Sequence, residues 1–443
     1  MRRYIYFFGL LVVVLHVSSV PFSFAWDIPK QIPGDFEGKW YGIHCPLVDP
    51  KDMFGERGGD AFPNQKIINA WGYKAKPIEE IKDLIPEQYY DIATHPQLWG
   101  NIRVNETAYI PSDQWPGTYV KLRNAATEKY KGQAYLDEDG NIQNHTAGQP
   151  FPGSTKDNEI IWNFMRCRPE GETYFARFYT AITDRKGSTR YCVAEQNYLY
   201  WKGKFYGENA PAITPNPNNY YSFQAMGFWE PYDLRGIIIL THRYDDAKRM
   251  DDQWMYITSL RRVRRMSAAQ RWDKLPGGQD ITYDGAMGFD GKPTNYEWKY
   301  LGRKMLLCGH NATNRLMEIK GKPGGGCCDQ TYQRVNCIVL QFTPKIVSSV
   351  SRGILYMDPD LYCIYYADYY DKRGRPYLFY AHSWVVGNDG CIGLVGFLVS
   401  DVQRVHSSNN YTYDSFKNEL AIKEGRDPNY FNMNNLKSIY KGR

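Results

Sequence analysis

The sequence lacks the motifs that mark the common classes of enzyme. It contains no Gly-x-Ser-x-Gly elbow, no His-Glu-x-x-His helix, no Walker loop and no Gly-x-Gly-x-x-Gly segment after a strand. Four carboxylates are candidates for an acid–base pair, although nothing in their spacing demands one: Asp280, Asp284, Asp358 and Asp360. The sequence therefore predicts a protein that is not an enzyme and that needs no cofactor.

A strong charge excess and a second long apolar run are also missing. The net charge is +6 over 443 residues, and Arg2 and Arg3 account for two of the positive charges. Such a small excess does not favour a nucleic-acid partner. After the N-terminal stretch, no apolar run has the length of a membrane-spanning helix. We therefore expect neither a nucleic-acid-binding protein nor an integral membrane protein.

The first 25 residues have the pattern of a secretory signal peptide. Arg2 and Arg3 precede a mostly apolar stretch, and Ser23-Phe24-Ala25 gives a small-x-small cleavage signal. A membrane anchor is the alternative, but the uninterrupted apolar run is too short to span a bilayer. The sequence predicts an exported, soluble protein that begins at Trp26.

Cysteine occurs an odd number of times, nine in all. An oxidising compartment favours disulfides, and an odd count leaves at least one thiol unpaired. The expected pairings are Cys167 with Cys192, and Cys308 or Cys337 with Cys327 or Cys328. A zinc site is the alternative, but Cys308-Gly-His310 and the adjacent cysteines lack a repeated Cys-x-x-Cys spacing. No metal site is therefore predicted.

Short β-rich segments separated by turn residues fill the chain from about residue 173 to residue 405. Because helices do not alternate with them, they favour an antiparallel sheet over a βαβ fold. Apolar residues at helical spacing predict helices after Pro77 and after Asp157, and a further capped helix is expected from near Asp414 to Gly425.

The stretch DDQWMYITSLRRVRRM, residues 251–266, predicts a β-hairpin rich in arginine. We expect Thr258 and Ser259 to form a two-residue turn. The two sides of the hairpin then carry Trp254, Tyr256, Arg261 and Arg265 on one side, and Met255, Ile257, Arg262 and Arg264 on the other. Because arginine pairs with carboxylates and stacks on aromatic rings, an ion-paired scaffold and an anion-binding site both remain open.

Three central segments together resemble the DUF1329 family: DDQWMYITSLRRVRRM, QRWDKLPGGQDITYD and NYEWKYLGRK. Further segments are similar to other parts of that family: GQPFPGST with EIIWNFMR, GILYMDPDLYCIYYADYYDKRG, and LIPEQYYDIATHPQLWGN. The resemblance covers most of the chain after the signal peptide. The family is in turn similar to the LolA/LolB-like outer-membrane lipoprotein-sorting proteins.

The resemblance implies a mainly β fold with few helices. The expected architecture is an antiparallel incomplete β-barrel with covering helices and a loop-rich N-terminal extension. The implied division of the chain is a signal peptide at 1–25, a loop-rich region with short helices at 26–157, a LolA/LolB-like half-barrel at 158–408, and a C-terminal helix with a polar tail at 409–443.

The resemblance also implies a periplasmic, non-enzymatic carrier or receptor. Its cargo would be a lipid, a lipoprotein acyl chain or another hydrophobe, held on the concave face. Family members are linked to transporters of the resistance-nodulation-division type, which implies an outer-membrane or transporter partner. The candidate groove residues are Trp229, Trp254, Tyr256, Tyr283, Trp298 and Tyr300. The candidates for head-group or partner contacts are Arg262, Arg264 and Arg265.

Two alternatives remain open. The first is an accessory protein of an outer-membrane or transporter complex that carries no cargo, and the second is a secreted hydrolase of a sugar or an ester. The chain also departs from the family pattern, because it has many cysteines and no lipid-anchor cysteine. These departures favour a disulfide-stapled, soluble variant.

Overall fold

The structure is a computed structural model that describes residues 65–72, 74–167, 173–205, 207, 209–267, 270–312, 330–387, 390–417 and 427–440. The predicted signal peptide, Cys327 and Cys328 lie outside the described residues. The strands within them are β1 Ile67–Gly72, β2 Arg103–Thr107, β3 Tyr135–Leu136, β4 Ile142–Gln143, β5 Thr173–Thr183, β6 Thr189–Tyr200, β7 Tyr220–Glu230, β8 Ile238–Tyr244, β9 Asp252–Ile257, β10 Arg262–Arg265, β11 Tyr296–Cys308, β12 Gln330–Pro344, β13 Val350–Met357, β14 Ile364–Asp371, β15 Pro376–Val386, β16 Ile392–Asp401 and β17 His406–Lys417.

Helices are few in the same residues. The α-helices are α1 Glu87–Thr94, α2 Pro96–Trp99, α3 Tyr119–Tyr130, α4 Asp157–Arg166 and α5 Met433–Ile439. The short 3-10 helices are Ile78–Leu84, Ser112–Gln114, Thr258–Leu260, Ala286–Gly288 and Pro293–Asn295. None of the helices in the described part of the chain is both long and apolar enough to cross a membrane.

Fifteen strands form one sheet that does not close. The order is β1-β2-β12-β13-β14-β15-β16-β17-β5-β6-β7-β8-β9-β10, and β11 pairs with β12 outside this path. Every pairing is antiparallel except the short parallel contact between β2 and β12. Among the described strands, β10 pairs only with β9 and β11 only with β12. The predicted fold class, a mainly antiparallel incomplete barrel, is confirmed.

Side chains alternate along each strand and give the sheet two faces. We call the face that carries Tyr198, Met226 and Ile239 the inner face, and its opposite the outer face. The inner face belongs to the larger apolar core, which also contains residues of α4 and of segment 270–295. On strands β5 to β9 the outer face forms a second core with residues 430–440. We call residues 427–440 the C-terminal segment.

Helix α4 runs through the larger core. Every residue from 160 to 166 is buried, whereas a surface helix would bury only one stripe. The backbone N–H of Tyr300 donates to the Asp157 carboxylate over 2.7 Å, and the hydroxyl of Tyr221 donates to the carbonyl of Met165 over 2.6 Å. The helix predicted after Asp157 is therefore confirmed, and it is tied to strands β7 and β11.

Helix α1 covers the outer face of β12 to β15. Tyr89 stacks on Phe379 with 5.3 Å between ring centroids, and its hydroxyl lies 2.7 Å from that of Tyr332. The sheet is consequently covered on both faces, by α1 and the C-terminal segment outside and by α4 and segment 270–295 inside.

The prediction that a C-terminal helix starts near Asp414 is wrong. Asp414 lies in β17, where its backbone is in register with Arg177 of β5. The strand continues to Lys417 because the neighbouring strand β5 offers a full length of unpaired backbone. The C-terminal helix of the described residues is α5, which begins at Met433.

Candidate functional site

Segment 270–295 covers the inner face with little regular secondary structure and is held there by aromatic packing. Trp272 stacks on Phe342 at 5.9 Å between ring centroids and meets Tyr369 edge-on at 5.3 Å. Phe289 packs edge-on against Trp298 at 5.0 Å. Offset and edge-on ring pairs of this kind contribute beyond the apolar area they bury. We call residues 270–295 the covering segment.

Hydrogen bonds to the sheet satisfy part of the covering segment's backbone. The N–H of Thr282 donates to the hydroxyl of Tyr380 over 3.2 Å, and the N–H of Asp280 donates to Ser408 Oγ over 2.9 Å. Gly288 has φ +87°, and a Cβ there would lie 2.7 Å from a methyl carbon of Ile364. The close approach of this segment to β14 therefore requires glycine.

Two cavities lie between the covering segment and the inner face of β6 to β9. The first has a volume of about 50 Å³, and apolar atoms make up most of its wall. Its apolar lining includes Tyr198, Met226, Ile239, Leu275 and Tyr283, and its polar lining consists of Gln196, Gln224, Thr241, Gln253, Arg271 and Asp290. The second has a volume of about 210 Å³ and a charged lining: Asp251, Arg265, Arg271, Asp284 and Lys292. Gln253 and Arg271 line both, so the two cavities adjoin at these side chains.

The charged cavity is built on a buried ionic cluster. Arg243 donates to Asp251 over 3.1 Å and to Asp290 over 2.9 Å, and Arg271 donates to Asp284 over 2.5 Å. These ion pairs connect strand β8 to the covering segment. Each buried charge needs a partner of opposite charge, because an uncompensated buried charge costs several kcal/mol.

Burial shapes the pKa values of this cluster. It raises the pKa of Asp284 even though Arg271 and the hydroxyl of Tyr296 stabilise the carboxylate. It also lowers the pKa of Lys292, although Asp251 opposes that shift with a contact of 3.1 Å. Gln253 Oε1 accepts no hydrogen bond from any described residue. The wall between the two cavities thus holds an acceptor that a bound polar group can satisfy.

The structure separates the six aromatic residues that the sequence proposes for a groove. Trp229, Trp254 and Tyr256 lie on the outer face, where Trp229 packs against Tyr440 at 4.7 Å between ring centroids. These three aromatic residues pack with the C-terminal segment, whereas the covering segment lies on the opposite face of the sheet.

The remaining three aromatic candidates belong to the inner core. Tyr283 lines the apolar cavity from the covering segment. Trp298 is buried and donates through Nε1 to the carbonyl of Pro293 over 2.9 Å. Tyr300 is half-buried on β11 beside the first turn of α4. Only Tyr283 of the six lines either of the two cavities.

The arginine hairpin forms, but its turn differs from the prediction. Tyr256 lies opposite Val263 and Trp254 opposite Arg265, because residues 258–261 make the connection. Arg261 has φ +49°, a left-handed backbone conformation. The predicted two-residue turn at Thr258 and Ser259 does not include this residue. The register moves by two residues, so the paired side chains of β9 and β10 keep the faces predicted for them, whereas Arg261 lies in the turn.

The arginines of the hairpin are all exposed. Arg265 pairs with Asp252 and lines the charged cavity. Arg262 and Arg264 project from β10 at the edge of the sheet and line neither cavity. The structure thus divides the three candidate contact residues between a cavity and a surface.

The predicted disulfide between Cys167 and Cys192 is not formed. Cys192 is a buried thiol in the middle of β6, and burial raises its pKa to about 11. Cys308 and Cys337 contact each other with 3.4 Å between sulfur atoms, which is longer than a covalent bond of about 2.05 Å. Within the described residues, no group of three or more His, Cys, Asp or Glu side chains is arranged to hold a metal ion.

The four carboxylates singled out in the sequence have separate partners. Asp280 contacts His406 and Lys274, whereas Asp284 contacts Arg271 and the hydroxyl of Tyr296. Asp358 accepts a hydrogen bond from Tyr365, and Asp360 pairs with Arg123. These contacts tie the covering segment and α3 to the sheet.

Sequence reasoning missed the residues that line the cavities: Tyr198, Met226, Ile239, Gln253, Arg271 and Leu275. A signal for some of them was present in the alternation of β7, β8 and β9, which sets Met226, Ile239 and Gln253 opposite to the face of Trp229 and Trp254. Nothing local identifies that face as the covered concave one, because the covering segment arrives from a distant part of the chain.

Comparisons with known proteins found both a sequence relative and similar solved structures. An uncharacterized protein of Pseudomonas aeruginosa, PA3922, is 26% identical over 343 residues, which is 71% of this chain and 72% of that protein. A Vibrio parahaemolyticus domain named as a candidate outer membrane lipoprotein-sorting protein is similar with a TM-score of 0.46 and 16% identity, over 63% of this chain and 97% of that one.

A third similar structure is the LolA superfamily protein NE2245 of Nitrosomonas europaea. It has a TM-score of 0.40 and 12% identity, and the match covers 63% of this chain and 99% of that one. The model of the family described as "Protein of unknown function (DUF1329)" matches residues 75–437, which is most of the chain. The chain therefore belongs to the DUF1329 family.

Proposed function

We propose that this protein is a non-enzymatic carrier or receptor for an amphiphilic hydrophobe, such as a lipid or the acyl chain of a lipoprotein. The observation that carries the proposal is the pair of adjoining cavities under the covering segment, one apolar and one charged. Such a pair suits a molecule with an apolar tail and a polar head. Burial of the tail against Tyr198, Met226 and Ile239 contributes about 0.8 kcal/mol per CH₂ group.

The size of the cavities implies that the covering segment moves when cargo binds. Sites for small molecules usually have volumes of about 300–1,000 Å³. The apolar cavity, at about 50 Å³, is far smaller. Because the segment has little regular structure, displacement of the part around Leu275 and Tyr283 breaks few backbone pairings. The ion pair of Arg243 with Asp290 would keep the remainder of the segment on the sheet. A hydrophobe would take the place of Leu275 and Tyr283 against the inner face.

The charged cavity is the proposed position of the polar head. Arg271 and Lys292 offer donors to an anionic or zwitterionic group, and the unsatisfied Oε1 of Gln253 offers an acceptor. Trp298 donates to the carbonyl of Pro293 in the covering segment, Tyr300 lies beside α4, and the outer-face aromatics Trp229, Trp254 and Tyr256 pack on the side of the C-terminal segment. We assign them no direct cargo contact.

The proposed location is the periplasm, on the signal-peptide pattern of residues 1–25. The proposed partners are an acylated or lipid cargo and an outer-membrane or transporter protein that delivers or receives it. Carriage of this kind needs no bond to be made or broken, which fits the absence of catalytic motifs in the sequence.

Binding of a fluorescent fatty acid and of an acylated peptide tests the proposal. The wild-type protein should bind both, and Met226→Trp, which fills the apolar cavity, should weaken binding at least about tenfold. Met305→Trp is the matched control, because Met305 is exposed on β11 and should leave binding unchanged. Absence of binding by the folded wild-type protein, or equal binding by the two variants, would contradict the proposal.

A further inference from the structure

The tip of the β9–β10 hairpin combines exposed cations with exposed apolar side chains. Leu260 in the turn is 59% exposed and Val263 on β10 is 41% exposed. Arg261, Arg262 and Arg264 are exposed around them. Exposed apolar side chains that are grouped and surrounded by charged residues, and are not scattered singly, indicate an interaction surface.

A second protrusion lies beside the hairpin turn. The hydroxyl of Thr258 donates to the carbonyl of Arg235 over 3.0 Å, which joins the turn to the loop of residues 231–236. Tyr232 in that loop is 87% exposed, more than any other large hydrophobic residue of the described chain. The two loops together form a surface of one tyrosine, two aliphatic residues and three arginines: Tyr232, Leu260, Val263, Arg261, Arg262 and Arg264. We call this surface the hairpin tip.

The positive charge of the hairpin tip is not neutralised locally. The nearby acids already have cationic partners, since Asp252 pairs with Arg265, Asp233 with Arg190 and Glu230 with Arg235. In contrast, Arg261, Arg262 and Arg264 form no ion pair with any described residue.

We propose that the hairpin tip docks on the surface of an anionic lipid bilayer. Arg262 and Arg264 project from one side of the hairpin, Val263 from the other, and Leu260 and Arg261 from its end. A protein docking on one side would meet only part of this set, whereas a layer of lipid head groups surrounds the tip and meets all of it. Arginine attracts anionic lipids, and tyrosine and leucine enter the interface below the head groups.

The docking surface is separate from the cargo site, and the inference stands without the proposed function. None of the residues of the hairpin tip lines either cavity. Arg265, the next arginine of β10, lines the charged cavity and is not part of the hairpin tip. Loss of docking therefore leaves the site for a hydrophobe intact.

Flotation of the full-length mature protein with vesicles tests this inference. The protein should bind vesicles of phosphatidylglycerol and phosphatidylcholine, bind vesicles of phosphatidylcholine alone far more weakly, and lose most of its binding at high salt. The variant Arg261→Glu/Arg262→Glu/Arg264→Glu should bind the anionic vesicles at least about tenfold more weakly, since each arginine near such a surface contributes about 1 kcal/mol.

A matched variant separates docking from net charge. Arg185→Glu/Lys186→Glu/Arg373→Glu makes the same change of net charge at exposed positions in two other turns, and it should bind within about twofold of wild type. Tyr232→Ser/Leu260→Ser should remove the part of the binding that resists salt. Both charge variants should keep the circular dichroism spectrum of wild type.

Three outcomes would overturn the inference. The first is a folded wild-type protein that does not float with anionic vesicles. The second is an equal loss of binding in the two charge-reversal variants. The third is wild-type-level binding by Tyr232→Ser/Leu260→Ser at every salt concentration, together with tip-dependent binding to an acidic polypeptide. That result would assign the tip to an acidic protein.

Discussion

Asp368 shows most clearly how burial changes the chemistry of a single residue in this sheet. It is fully buried on the outer face of β14 and accepts a hydrogen bond from the hydroxyl of Tyr356 over 3.1 Å. Its other oxygen has no partner among the described residues. Burial raises the pKa of this carboxyl to about 7, although the bond from Tyr356 opposes the shift. At neutral pH the sheet therefore contains a carboxyl poised between its two protonation states.

We predict that Asp368→Asn stabilises the protein at pH 8. In the unfolded chain the carboxyl ionises near pH 4, so Asp368 lowers the stability as pH rises from 4 through 7. The asparagine carbonyl still accepts from Tyr356 but carries no charge. The gain in the free energy of unfolding at pH 8 should be about 2–4 kcal/mol, measured by urea denaturation.

The same denaturation series at pH 5 supplies the internal control for this prediction. The difference between wild type and Asp368→Asn should shrink there, because the carboxyl of the folded wild type is then protonated. Asp113→Asn, at an exposed position, should leave the curve unchanged at both pH values. An identical dependence on pH in wild type and Asp368→Asn would refute the assignment.

At the scale of elements, the covering segment and the C-terminal segment depend on a few long-range polar contacts. The covering segment is fastened to β16 and β17 through Asp280, which contacts His406 over 2.6 Å and Lys274 over 2.8 Å. Lys274 also reaches Asp401 over 2.8 Å. These contacts hold the part of the segment between Arg271 and Asp284 against the end of the sheet formed by β16 and β17.

We predict that the attachment of the covering segment weakens as pH rises. The hydrogen bond to Asp280 raises the pKa of His406, so its contribution is fully present below the unfolded-state value near 6.5 and is lost as pH rises through the folded-state pKa. Amide exchange at Asp280 and Thr282, corrected for its intrinsic rate, should therefore accelerate between pH 5.5 and pH 8.5 by an amount that His406→Gln removes. His95→Gln is the control, because His95 lies in an exposed position far along the chain. A pH dependence that survives in His406→Gln would contradict this attachment.

A buried carboxylate on the outer face binds both ends of the C-terminal segment, in addition to the apolar packing of that segment. Glu195 accepts hydrogen bonds from the hydroxyls of Tyr430 over 3.1 Å and Tyr440 over 3.0 Å, and from Trp229 Nε1 over 3.3 Å. It also lies 3.5 Å from the guanidinium of Arg177, which is itself buried.

We predict that Glu195→Gln destabilises the protein and loosens the C-terminal segment. The substitution removes the negative charge that the buried Arg177 contacts and weakens the hydrogen bonds that Glu195 accepts, which should cost about 1.5–3 kcal/mol. Tyr440→Phe, which removes one donor only, should cost about 1 kcal/mol. Thermal unfolding measures both costs, and limited proteolysis should cut residues 427–440 faster in Glu195→Gln. Equal stability of Glu195→Gln and wild type would show that the carboxylate is not the anchor.

At the scale of the whole molecule, the sequence predicts the strands of the sheet better than the segments that pack on its two faces. The alternation in β9 and β10 assigns each hairpin side chain to its face, and the apolar spacing after Asp157 finds α4. The turn of the hairpin is missed because Arg261 adopts a left-handed conformation that arginine rarely takes. Asp414 is missed because a strand partner far away in sequence overrides its local capping preference.

The candidate site is harder to predict for a related reason. Period-two alternation divides side chains between two faces, but it does not say which face will be concave or what will cover it. From the sequence alone, the face of Trp229, Trp254 and Tyr256 is therefore as suitable for a groove as the face of Met226 and Ile239. The cover itself is held by contacts such as Trp272 on Phe342 and Asp280 on Ser408, whose partners are many residues apart.

Native mass spectrometry of the protein purified from its native host, with solvent extraction of whatever is bound, tests the proposed carrier function most directly. We expect wild type to retain a hydrophobic molecule in a fixed stoichiometry, which solvent releases and lipid analysis identifies. Met226→Trp should lose it and Met305→Trp should keep it. A wild-type protein that is folded and free of any bound hydrophobe, and that takes up none when a lipid extract is supplied, would contradict the account.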